Sequence, residues 1–206
     1  KKNKKNVYIA FSADILHEGH INILKQANKL GEVVVGLLTD EAIVKYKKLP
    51  NLTYQERENE LRKIKYVKKI VKQTSLDYSY NLKKLKPHYV VHGDDWKKGI
   101  QKKTRNKVIK TLKGWGGKLV EIKFTKEISE LVVKKKTLEV GTTPQKRQQK
   151  LKRLMSAKKL VRIIESHSAL TGLIVENLYV IKNDTFFDFD GMWSSSLTDS
   201  AIKGKP

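Results

Sequence analysis

Val7-Tyr8-Ile9-Ala10-Phe11, then His17-Glu18-Gly19-His20, then an apolar-periodic stretch over residues 21–30 decide the fold of this chain. The first run is too short and too rich in strand-forming residues for a helix, so it reads as a buried strand. The four residues after it read as a tight turn that opens a helix. An anion at such a turn meets unpaired backbone N–H groups and the positive end of the helix dipole. Gly19 removes a side chain that would keep a phosphate from the backbone. His17 and His20 can donate hydrogen bonds to charge developing on a phosphoryl group. The combination indicates nucleotidyl transfer. Zinc is disfavoured: there is no cysteine, and His88, His92 and His167 stand in no ligand-like spacing with the pair. No metal ligands are therefore assigned. Two polar residues in an ordinary βα turn remain the plainer alternative.

Short apolar runs recur along the chain and alternate with helical periodicity. Residues 7–11, 32–38, 67–71, 89–92 and 118–122 read as buried parallel strands, and residues 21–30, 53–64, 76–85 and 100–112 as helices between them. Thr53 and Glu56 form a capping-box pair at the second helix. Repeated βα alternation implies an α/β fold with a doubly wound parallel sheet. Ligands of such sheets gather at the carboxyl ends of the strands, near the topological switch point. His17 and His20 fall at the end of the first strand, and Gly93-Asp94-Asp95-Trp96 at the end of the fourth.

The composition bounds the function classes. The chain has 206 residues, 39% of them hydrophobic, enough for one well-buried α/β domain with some chain to spare. The lack of cysteine excludes disulfides, thiolate metal sites and thiol catalysis, and fits a reducing cytosol. No stretch approaches the roughly 20 apolar residues of a bilayer span, so a soluble, cytoplasmic protein is expected. The formal charge of +23, from 44 Lys+Arg against 21 Asp+Glu, invites a nucleic-acid reading. However, the lysines are spread along the chain, arginines are few, and no aromatic-basic interleaving builds a stacking platform. Solvated helix faces explain the lysines better, and the positive field suits a nucleoside triphosphate equally well.

Phe11-Ser12-Ala13-Asp14-Ile15-Leu16-His17-Glu18-Gly19-His20, Leu38-Thr39-Asp40-Glu41, Thr53-Tyr54-Gln55-Glu56-Arg57 and Gly93-Asp94-Asp95-Trp96 together resemble the glycerol-3-phosphate cytidylyltransferase type of nucleotidyltransferase, over residues 7–137. The resemblance implies a Rossmann-like sheet that binds CTP with Mg²⁺, transfers CMP to a phosphorylated alcohol or a phosphonate, and releases pyrophosphate. It further implies a homodimer. On the matching positions, His17 and His20 contact the triphosphate and stabilise the transition state. Phe11, Ser12 and Gly19 supply backbone around the nucleotide, Asp94 or Asp95 holds the nucleoside, and Arg57 reaches the phosphates. Among Lys45, Lys47 and Lys48, Lys47 is expected to neutralise the acceptor. The family's last motif is met only by Thr125, Ile128 and Ser129, because Phe124, Glu127, Glu130 and Leu131 replace its other residues. Two carboxylates there oppose a triphosphate at a helix N-terminus, which leaves a binding-only domain as an alternative.

After residue 137 the pattern changes. Gly141-Thr142-Thr143-Pro144 reads as a break within a linker over residues 138–144, and Pro144 can start a basic helix over residues 145–157. Residues 145–206, through Ile163-Ile164-Glu165-Ser166-His167 and Phe189-Asp190-Gly191-Met192-Trp193-Ser194-Ser195-Ser196-Leu197, resemble the opening of phosphoenolpyruvate mutase, of the isocitrate lyase superfamily. That implies an incomplete (β/α)-barrel-like segment whose first strand is residues 160–164 and whose pocket residues include Trp193, Ser195 and Leu197. A whole barrel needs about 250 residues, so no mutase activity is expected of these residues. The pairing of the two resemblances implies a phosphonate acceptor such as 2-aminoethylphosphonate. A basic nucleic-acid binder and an assembly element of a mutase stay open beside the transferase.

Overall fold

The computed structural model describes residues 5–97, 99, 101–123, 143–182, 185–195, 198, 200–201 and 204. Five strands form one parallel sheet: β1 (Asn6–Phe11), β2 (Glu32–Leu38), β3 (Val67–Gln73), β4 (Tyr89–Gly93) and β5 (Lys118–Ile122), in the order β3-β2-β1-β4-β5. The helices between them are α1 (Glu18–Leu30), the short α2 (Asp40–Ile43), α3 (Tyr54–Arg62), α4 (Ser79–Leu85) and α5 (Lys102–Leu112). This is the doubly wound α/β fold expected from the alternating runs. The alternation within β1 explains its central place. Val7 and Ile9 join a core with Leu24, Ala27 and Leu61 from α1 and α3, while Tyr8 and Ala10 join a second core with Leu82, Val108 and Leu112 from α4 and α5.

The strand order reverses at β1, and the register shows what that does. β1 pairs with β2 along its whole length, from Asn6 with Glu32 to Phe11 with Leu37. With β4 it pairs only through Val7 with Tyr89 and Tyr8 with Val90. Beyond those pairs the two strands part, which opens a crevice between residues 9–11 and the end of β4 at the switch point.

Among the helix starts that differ from the sequence reading, two have a visible local cause. α1 begins at Glu18, with His17 as its N-cap, so the His17–His20 turn is itself the first turn of the helix. α4 begins at Ser79, three residues later than expected, because Asp77 accepts from the Ser79 amide (3.0 Å) and its own amide donates to Ser75 Oγ (2.8 Å), fixing a turn there. The capping box at α3 is present with both of its hydrogen bonds.

Beyond residue 143, Pro144 occupies the first turn of α6 (Pro144–Ala157), as its fixed φ favours. β6 (Ile163–Ser166) pairs in parallel with β9 (Gly191–Ser194), with α7 (Ala169–Asn177) between them, and β7 (Tyr179–Lys182) pairs antiparallel with β8 (Thr185–Asp188). β6 starts three residues later than the sequence reading had it. The Asp190 carboxylate takes the Arg162 amide (2.9 Å) and holds that residue outside the ladder. The described residues contain this parallel pair and a hairpin, and no barrel. No described helix is long and apolar enough to cross a membrane.

Candidate active site

β1 ends at Phe11, and the loop that follows is fixed from below at two points. Ala13 adopts φ 50, a conformation that costs a non-glycine residue energy and that the surroundings must enforce. They do so by hydrogen bonding on either side of it. The Ser12 carbonyl accepts from Arg57 Nη1 (2.5 Å), and the Asp14 carboxylate accepts from the Leu52 amide (2.9 Å) and from Asn51 Nδ2 (3.2 Å). The loop, the parted ends of β1 and β4 and the Tyr46-Lys47 segment enclose a cleft of about 380 Å³, within the range of small-ligand sites. Phe11, Ser12, Asp14, His17, His20, Lys47, His92 and Asp95 all line it.

His17 Nδ1 accepts from the Gly19 amide (3.1 Å), so a neutral His17 carries its proton on Nε2. A Cβ on residue 19 would lie 2.9 Å from His17 Cε1. Gly19 thus serves the His17 ring first: its N–H caps onto the imidazole, where the sequence reading had it open to a phosphate. The two imidazoles lie 4.0 Å apart, and the His20 ring meets Phe11 edge-on at 5.2 Å. Burial, reinforced by the nearby His17 and Lys47, pushes the His20 pKa down to about 3, and its Nδ1 is buried without a hydrogen-bond partner among the described residues. Lys47 Nζ donates to Ser12 Oγ (2.8 Å), and burial lowers its pKa while Asp14 opposes the shift. The cleft therefore holds a desolvated ammonium and a neutral imidazole, both of which an entering anion would stabilise in protonated form.

The His20 shift carries a stability consequence. In the unfolded chain His20 returns to its ordinary value near 6.5, so between pH 6.5 and 3 the unfolded state binds more protons, and stability falls as pH falls through that window. From pH 7 to pH 5 this one group costs about 2 kcal/mol. Urea titrations at the two pH values are expected to show that loss in wild type and most of it abolished in His20→Gln. An equal loss in both would place the acid sensitivity elsewhere.

Several sequence-assigned residues take other places. Arg57 is fully buried, and besides Ser12 it serves the Leu38 carbonyl (2.8 Å) and Asp40 Oδ1 (2.7 Å). It lies beneath the cleft and does not reach into it, so its expected contact with phosphates is replaced by support of the loop. Asp95 lines the cleft, whereas Asp94 does not. Trp193 is 67% exposed, Ser195 Oγ donates to Thr198 Oγ1 (2.9 Å), and Leu197 lies outside the described residues. Thr125, Ile128 and Ser129, with Phe124, Glu127 and Glu130, lie outside them too.

Sequence reading missed His92. Its ring stacks flat on Trp96 at 3.8 Å and 2°, with Nδ1 2.9 Å from the Gly93 carbonyl, so Nδ1 carries the proton there. Burial lowers its pKa, and Asp95 Oδ1 stands 3.7 Å away. The available signal was position, since His92 ends the strand that flanks β1 at the crevice.

A family model described as cytidylyltransferase-like matches residues 12–143, the stretch that contains this loop, the two histidines and the end of β4. The chain belongs to the cytidylyltransferase-like family. Within curated proteins, it is 36% identical over 132 residues to ethanolamine-phosphate cytidylyltransferase of Dictyostelium discoideum, covering 62% of this chain and 35% of that protein. It is 34% identical over 82 residues to the FAD synthase of Archaeoglobus fulgidus, covering 40% of this chain and 60% of that enzyme. The chain thus spans about a third of the first relative's length. Among solved structures, it is similar to the lipopolysaccharide core biosynthesis protein of Thermoplasma volcanium, with a TM-score of 0.51 and 26% identity over 60% of this chain and 99% of that one. The family is one of nucleotidyltransferases, and the cleft lies at the switch point, where doubly wound sheets bind their ligands.

Proposed function

We propose that the chain transfers CMP from CTP to a small phosphorylated or phosphonylated acceptor. An acceptor oxygen attacks the α-phosphorus, the bond from that phosphorus to the bridging oxygen of the β-phosphate breaks, and pyrophosphate leaves. The observation that carries the reading is the pair His17 and His20 in the first turn of α1, facing Lys47 in one cleft. The neutral His20 imidazole and the His17 ring at a helix N-terminus stabilise charge developing on the phosphoryl oxygens, and a desolvated ammonium draws in the second anion. Asp95, at the end of β4, holds the nucleoside. A 2-aminoethyl acceptor is favoured by two independent likenesses. One is the ethanolamine-phosphate cytidylyltransferase relative, and the other is the resemblance of residues 145–206 to phosphoenolpyruvate mutase. 2-Aminoethylphosphonate has the amine end of ethanolamine phosphate without the bridging ester oxygen.

Among the described residues no group of three or more His, Cys, Asp or Glu is placed to hold a metal ion. The Asp14 carboxylate in the cleft is already committed to Leu52 and Asn51. These residues do not form a metal site, so Mg²⁺ is proposed only as a companion of the triphosphate.

A ligand that binds only the folded state at 100 times its Kd adds about 2.7 kcal/mol, which for a chain of this size raises Tm by about 5 to 10 °C. CTP with Mg²⁺ is expected to give that rise and ATP, GTP and UTP much less. Pyrophosphate release is then read with ethanolamine phosphate, 2-aminoethylphosphonate and glycerol 3-phosphate in turn. Equal shifts from all four nucleotides defeat the cytidine assignment, and turnover confined to glycerol 3-phosphate defeats the aminoethyl one.

A further inference from the structure

Arg153 lies on α6, ten residues past the last position that the family model matches. Its Nη2 donates to Asp40 Oδ2 (2.8 Å) and the Leu52 carbonyl (3.1 Å), and its Nη1 to the Asn51 carbonyl (3.0 Å). Two routes run from these acceptors to the loop under the nucleotide cleft. Along the first, the other oxygen of Asp40 accepts from Arg57, and Arg57 holds the Ser12 carbonyl, whose residue in turn receives Lys47 on its hydroxyl. Along the second, Leu52 and Asn51 donate to the Asp14 carboxylate on the far side of Ala13. Both flanks of the strained residue therefore trace back to one guanidinium. The side chains of Arg153 and Asp40 are 16% exposed and that of Arg57 is fully buried, so solvent screens the chain of contacts little.

We propose that Arg153 is a positioning residue for nucleotidyl transfer, holding the residue 12–14 loop and through it Lys47 in working geometry from outside the family's own module. Only the kinetic part of its test rests on the function proposed above. The same helix offers a control, because Lys146 anchors it to Glu56 at α3 and touches neither Asp40 nor residues 51–52. A merely structural anchor at position 153 would behave like one at 146.

The experiment compares Arg153→Gln and Lys146→Gln in the full chain by amide hydrogen exchange, thermal midpoint and CTP kinetics. Arg153→Gln is expected to speed exchange at Ser12, Ala13 and Asp14 by about fivefold or more while leaving β1 amides unchanged. It is expected to lower kcat about tenfold with KM for CTP within about threefold, the size of a coupling carried through packed networks. Lys146→Gln is expected to lower the midpoint by a similar amount without either effect. Loop exchange that moves no more in Arg153→Gln than in Lys146→Gln overturns the proposal. If wild type turns over no nucleotide, the transfer reading fails, and the exchange comparison alone decides the role of Arg153. A change in both variants, in loop and midpoint alike, also overturns it, since that is what loosening the helix as a whole would do.

Discussion

His20→Ala is expected to lower kcat about 100-fold or more while the Kd for CTP changes by less than about tenfold. The reasoning rests on the free state of the ring. Burial with His17 and Lys47 alongside keeps His20 uncharged far below neutral pH, so a bound ground state gains from it a hydrogen bond between a neutral donor and an anion. As the α-phosphorus passes through its transition state, charge builds on the oxygens that face the first turn of α1. A preorganised donor in a water-poor cleft is then worth more than in the ground state. Removal of one such donor typically costs a factor of 100 to 1,000 in kcat, by order of magnitude. His17→Ala should lose a comparable factor and also about 1 kcal/mol of stability, because His17 caps the helix through the Gly19 amide. Single-turnover kinetics with isothermal titration separate the two effects. Normal turnover in either variant removes that histidine from the mechanism, and a CTP Kd that rises as much as kcat falls would assign it to ground-state binding.

The sheet was legible because each of its strands is short, β-branched or apolar, and bounded by residues that turn the chain. β2 and β5 fall at the limits read from the sequence, residues 32–38 and 118–122, while β1, β3 and β4 exceed theirs by one or two residues. What stayed hidden were contacts between distant residues. Gly36 sits inside β2 because the Tyr8 hydroxyl crosses it: a Cβ there would meet that oxygen at 1.9 Å. Tyr8 in turn donates to Gln73 Oε1 (2.5 Å), and Asn81 Nδ2 donates to the same oxygen (2.7 Å), a buried polar cluster drawn from three elements. No local spacing encodes such a set. In the cleft, His17, His20, Lys47 and Asp95 lie together: a strand end and the helix after it fix the two histidines locally, whereas Asp95 follows the end of β4 and Lys47 meets Ser12 across 35 residues. Arg57 was misplaced for the opposite reason. On its own helix it looks like any polar-face arginine, and its depth is set by Asp40 and Ser12, 17 and 45 residues away. Residues 160–194 were the least legible. Leu170, Leu173, Ile174 and Trp193 are large apolar residues, yet each is more than half exposed.

The depth of Arg57 leads to the second large effect. Arg57→Met is expected to destabilise the fold by about 3 to 5 kcal/mol, the range found when one partner of a buried ion pair is removed. Methionine fills most of the volume, so little of the loss comes from a cavity. The loss comes from the acceptors left behind: the Ser12 and Leu38 carbonyls lose their donor, and Asp40 keeps only Arg153. An unsatisfied buried acceptor costs about 1 to 3 kcal/mol, which two such carbonyls bring into the same range. Arg62 on the same helix supplies the comparison. It is 63% exposed and pairs with Glu58 one turn back, so Arg62→Met should stay within about 0.5 kcal/mol of wild type. Arg57→Lys should recover less than half of the loss, because a single ammonium cannot span two carbonyls and a carboxylate that a planar fork reaches together. Urea midpoints at constant m-value measure all three variants. A loss below about 1 kcal/mol in Arg57→Met would mean that water or rearranged neighbours satisfy Ser12 and Leu38. Arg57 would then be free to move toward bound phosphates, as its position in the sequence first suggested.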